Sequence, residues 1–77
     1  MTKREVLNGF AQIDGFISPD ELRSRLGLQL DRRSFYSYLI RLSSQGLLER
    51  AGARRGQLAY RLTRRGQERL AFFMRQR

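Results

Sequence analysis

Residues 31–50 read DRRSFYSYLIRLSSQGLLER, and their spacing predicts a helix that opens at Asp31 and is stopped by Gly46. Asp is a strong N-cap because its carboxylate accepts a hydrogen bond from an amide that the first turn leaves without a partner. Phe35, Tyr38, Leu39 and Leu42 recur at i, i+3, i+4 and i+7, the spacing of one helical face. Leu30, just before the cap, is placed to pack on Phe35 as a hydrophobic staple. Gly46 supplies the left-handed residue that commonly ends a helix, and Leu47-Leu48-Glu49-Arg50 follows as a strand candidate.

Upstream, Ser18-Pro19-Asp20-Glu21 is a second helix start. Ser18 caps, Pro19 suits the first helical position, Glu21 closes a capping box and Ile17 is spaced to staple onto Leu22. That helix runs through Leu22 and Leu26 and ends at Gly27. Thr2-Lys3-Arg4-Glu5 reads as another capping box, with Met1 placed to staple onto Val6. Val6, Leu7 and Phe10 give this first helix one apolar face, ending before Asp14-Gly15. Phe16-Ile17 is a brief extended piece.

Downstream, Gln57-Leu58-Ala59-Tyr60-Arg61-Leu62 is a second strand, and Ala51-Gly52-Ala53-Arg54-Arg55-Gly56 forms the basic tip of a hairpin. Thr63 then caps a last helix carrying Leu70, Phe73 and Met74. The expected order is helix, short strand, helix, turn, helix, two strands, helix. This is an α+β, mostly helical single domain over residues 1–77: a helix-turn-helix followed by a two-stranded wing.

Two stretches resemble a known group of proteins. Tyr38-Leu39-Ile40-Arg41-Leu42 followed by Gly46-Leu47-Leu48-Glu49-Arg50 looks like the end of a recognition helix entering a wing. Ala59-Tyr60-Arg61-Leu62-Thr63-Arg64-Arg65-Gly66 looks like the second wing strand entering a last helix. Both are similar to winged-helix regulators of the MarR and PadR type, over residues 16–74. The resemblance implies duplex DNA binding with the third helix in the major groove. It departs in one respect, since those families usually dimerise through long additional helices for which this chain has little room.

Composition bounds the chemistry. A chain of 77 residues buries only about 60% of the surface it exposes when unfolded, so its core is thin. With no Cys and no His, it has no disulfide staple, thiolate nucleophile or imidazole base, and lacks the commonest metal ligands. No phosphate-cradling glycine loop or nucleophile–base pair appears, so no enzymatic activity, cofactor, metal or small-molecule ligand is expected. The lack of Cys favours a reducing compartment, and no apolar run reaches membrane-spanning length. A cytoplasmic protein away from membranes is the expectation.

Charge is the strongest signal. Sixteen basic residues face seven acidic ones, for a net charge of +9. Lys3 is the single lysine, so the other fifteen of the sixteen are Arg. A GC-rich coding bias accounts for much of the preference for Arg over Lys. It does not account for the excess of base over acid, which points to a polyanion.

With Phe35, Leu39 and Leu42 turned inward, Arg33, Tyr36, Ser37, Ile40, Arg41 and Ser44 lie outward, and Arg32 sits at the N-terminal end. Arg can grip guanine O6/N7 with two hydrogen bonds, Ser can bond to phosphates or base edges, and Ile40 can meet a thymine methyl. A solvated amphipathic face is the bland alternative. Tyr36 and Ile40 on the outward side tell against it. Arg54 and Arg55, flanked by Gly52 and Gly56, suit a phosphate backbone or a minor groove; a plain solubilising turn is the alternative.

Arg23 and Arg25 are further phosphate candidates, though Arg25 equally matches Glu21 at i,i+4. Arg64 and Arg65 open the last helix against its macrodipole, a hint of an external anion. Phe72 and Phe73 are adjacent, so they do not share one core face, and the exposed one is available to a second subunit.

The sequence thus predicts a double-stranded DNA-binding regulator, with a homodimer through the first and last helices as a further expectation. Two other readings stay open. One is a winged-helix protein–protein adaptor, or an accessory subunit of a larger nucleic-acid machine. The other is recognition of RNA or of an unusual duplex by shape.

Overall fold

A computed structural model describes residues 2–28, 30–52 and 58–76. Helices span Lys3–Ala11 (α1), Pro19–Leu26 (α2) and Arg32–Ser44 (α3); strands Leu48–Gly52 (β1) and Leu58–Leu62 (β2) follow, then a helix over Arg64–Arg75 (α4). The architecture is α+β and mostly helical: four helices and one antiparallel pair of strands.

Each helix starts where a side-chain oxygen caps it. Thr2 accepts from the Glu5 amide, Ser18 from Glu21, Asp31 from Ser34 and Thr63 from Gly66, all at 3.0–3.2 Å. The reciprocal half expected at the second helix does not form, because the Glu21 carboxylate instead faces Arg25 at 3.1 Å. Gly27 ends α2 with φ of 63°, and Gly46 lies just past α3 with φ of 80°. The expected Met1 staple lies outside the described residues.

β1 pairs with β2 from Leu48↔Leu62 to Gly52↔Leu58. Leu47 precedes the strand, and Ala51 and Gly52, expected in the tip, belong to it. Ile17 adds a third rung: its amide and carbonyl exchange two 2.9 Å hydrogen bonds with Tyr60. The brief extended piece before α2 thus lies along β2.

The core lies between the helices and one face of the strands. Val6, Leu7 and Phe10 of α1, Leu22 of α2, and Phe35, Leu39 and Leu42 of α3 are buried. Ile17, Leu47, Leu48 and Tyr60 close it from the strand side, and Leu70 of α4 completes it. Side chains of this kind contribute about 1.5–3 kcal/mol each on full burial. Leu30 and Tyr38 pack partly buried against this cluster.

On α4 the apolar pattern runs differently from expectation. Gly66 and Leu70 are buried and Phe73 is half-buried, whereas Met74 is 52% exposed. The inward stripe begins at Gly66 and steps by four and then three residues. Met74 falls one position past it, at the mouth of a groove shared with Thr2, Glu5 and Asn8 of α1. Phe72 is exposed and stacks edge-on with Phe73 at 6.0 Å between centroids. No described helix is long and apolar enough to cross a membrane.

Candidate nucleic-acid interface

α3 contains no acidic residue along its length. Because Phe35, Leu39 and Leu42 are fully buried, the residues half a turn away are forced outward. Arg33, Ser37, Ile40, Arg41 and Ser44 are all exposed, Ile40 to 49%. Among the described residues, Arg33 and Arg41 enter no ion pair.

Arg32 and Tyr36 stand apart from that set. The Arg32 guanidinium lies 3.2 Å from Asp20 Oδ2 and 5.3 Å above the Tyr36 ring. Its Nη2 donates to the Tyr36 hydroxyl at 3.4 Å, and that hydroxyl donates to Asp20 Oδ2 at 3.2 Å. The Tyr36 hydrogen bond, and then the Asp20 charge, raise the Arg32 pKa further above its already high value. Two of the residues expected to face a ligand thus already have partners on α2 and α3.

At the helix start, the Ser34 hydroxyl and then its amide hold the Asp31 carboxyl below its ordinary range. Further along, burial pushes the Tyr38 hydroxyl up, with Arg41 opposing. Tyr38 therefore stays neutral on the flank between the buried and outward faces.

Other arginines are accounted for locally. Arg25 pairs with Glu21, as its spacing allowed. Arg23 donates to the Leu30 carbonyl at 3.0 Å and so closes the turn between α2 and α3. Arg64 lies 3.6 Å from Glu68. The Arg65 side chain runs past Gly46, and Lys3 Nζ donates to Gln45 Oε1 at 3.3 Å. Both cations stand at the C-terminal end of α3, where the helix dipole is negative. Arg64 and Arg65 at the start of α4 thus have neighbours of their own, Glu68 and the end of the α3 turn.

Arg54 and Arg55 lie outside the described residues. Of the hairpin's charges, Arg61 binds Glu49 at 2.8 Å and covers the Phe16 ring at 4.8 Å, which neutralises the outer face. Arg50 is different. It lies two residues on from buried Leu48 and opposite buried Tyr60, so it stands on the inner face of the hairpin. It is exposed and has no ion-pair partner among the described residues. Sequence reasoning passed over it, although strand alternation from Leu48 was the available signal.

No family model matches the chain, and no curated protein or solved structure is significantly similar to it.

Proposed function

We propose that this chain is a winged helix-turn-helix protein that binds double-stranded DNA as a small cytoplasmic regulator. In this reading α3 enters the major groove, and the hairpin that carries Arg54 and Arg55 follows the backbone or the minor groove. The observation that carries it is the acid-free outward face of α3, where Arg33, Ser37, Ile40, Arg41 and Ser44 are exposed together. A duplex supplies phosphates for its arginines and base edges for Ser37 and Ile40, whereas a protein partner would need an acidic surface to match them. Arg50 extends the same charge onto the hairpin.

A second copy joined through α1 and α4 would give a two-fold protein on a two-fold site. The exposed Met74 at the groove between those helices supports that arrangement.

Selection of bound sequences from random duplex DNA at two salt concentrations tests the reading. The expected outcome is a consensus with two half-sites and affinity that falls steeply with salt. Failure to retain any duplex at low salt, together with recovery of one stoichiometric protein partner, would instead favour the adaptor role.

A further inference from the structure

Resting on the duplex reading above, we infer that Asp20 is a specificity-setting residue, which holds the Arg32 guanidinium against Tyr36 and so keeps it off phosphates. Three contacts define the device. Asp20 Oδ2 lies 3.2 Å from Arg32 and accepts from the Tyr36 hydroxyl, also at 3.2 Å, while the guanidinium carbon lies 5.3 Å from the Tyr36 ring centroid. The carboxylate comes from the first turn of α2, where the helix dipole favours negative charge. Arg32 and Tyr36 come from the first two turns of α3. No other described carboxylate forms an ion pair with an arginine of α3.

The consequence follows from how basic proteins bind duplexes. Sequence-independent affinity counts the cations free to displace counterions. A guanidinium held by a carboxylate is withdrawn from that count, and a carboxylate beside the helix entry also repels phosphates. Base readout by Arg33 and Ser37 is untouched. The result lowers binding to wrong sequences more than to the right one, which is specificity by a repulsive element.

The test is a titration of a fluorescent 25-base-pair duplex of mixed sequence at several KCl concentrations. It uses the wild type, Asp20→Asn, Arg32→Gln and the double variant, with thermal melts to verify folding. Asp20→Asn is expected to bind this duplex about three- to tenfold more tightly near 0.1 M salt. Its log–log salt slope should steepen by about 0.9, the value for one further phosphate neutralised. Most of the gain should vanish in the double variant, leaving only what the lost carboxylate repulsion contributes.

A wild type that binds with no slope change in Asp20→Asn would overturn this inference alone. A gain that persists undiminished in the double variant would overturn the holding of Arg32, leaving Asp20 as a bare repulsive charge. A wild type that binds no duplex at low salt would overturn the DNA reading, and this inference with it.

Discussion

The backbone of α4 comes up against the turn that leads from α3 into β1: Gly66 sits so close to Leu47 that a Cβ there would overlap the Leu47 carbonyl oxygen. The Leu62 side chain closes the same space at 2.7 Å. In an open helix, replacing Gly by Ala gains about 1 kcal/mol. Here Gly66→Ala is expected to cost about 2–3 kcal/mol, since a backbone carbonyl cannot swing away as a side chain does. Gly9 is the control, because a Cβ there would meet the movable Leu26 methyl groups first, at 3.0 and 3.1 Å. Urea unfolding should show a large loss for Gly66→Ala and a much smaller change for Gly9→Ala.

Thr63 fastens the same junction with its hydroxyl. Oγ1 donates to the Gly46 carbonyl at 2.6 Å and accepts from the Gly66 amide at 3.0 Å. Thr63→Val removes both bonds while keeping shape. The lost cap costs about 1 kcal/mol, and the half-buried carbonyl left behind adds about 1 kcal/mol more. Thr63→Ser keeps both bonds and should lose under about 1 kcal/mol. Equal losses in the two variants by denaturant titration would show that the hydroxyl does not matter.

Acid should weaken the start of α3. The Asp31 carboxyl has a lowered pKa because of the Ser34 hydroxyl and then the Ser34 amide. A depressed carboxylate contributes stability that is fully present above its unfolded pKa and lost as the pH falls through its folded pKa. The melting temperature should therefore fall below about pH 4. Asp31→Asn, which caps comparably without titrating, should show a shallower fall over the same range.

Arg50 and Arg33 should separate two kinds of contact. Arg50→Ala, on the hairpin, is expected to weaken all duplexes alike and flatten the salt slope by about one charge. Arg54→Ala should behave in the same way. Arg33→Ala and Ser37→Ala should relax sequence preference, at about 1–3 kcal/mol of discrimination for each lost base contact. Competition between selected and scrambled duplexes distinguishes the two. Uniform weakening by all four changes would remove the assignment of base readout to α3.

The parts of this fold that were legible in the sequence are those set within a few residues. Ser18, Asp31 and Thr63 each cap an amide three positions on. The burial of Phe35, Leu39 and Leu42 follows from helical spacing alone. Long-range choices were not legible. Nothing local to Asp20 announces that it meets Tyr36, sixteen positions away. Nothing local to Gly66 announces the Leu47 carbonyl. Met74 was misplaced because the inward stripe of α4 is set by that close approach, and not by the apolar residues themselves. The outward face of α3 could be read as a set, but the withdrawal of Arg32 and Tyr36 into an ion-pair cluster depends on how α2 is docked.

The two hydrogen bonds between Ile17 and Tyr60 also govern the order in which this chain can acquire its shape. α2 and α3 are local structures, free to flicker into being as soon as their own residues are present. Their apolar sides can meet each other and α1, but the core stays open on one side until Tyr60, a large and fully buried side chain, arrives from the far strand. Joining residues so distant in the chain requires closing a long loop before any stabilisation is gained, and that slows folding. A nascent chain halted short of residue 60 would leave the core around Leu22, Phe35 and Leu39 open on the strand side. Completion of this one rung therefore separates an aggregation-prone polypeptide from the finished domain.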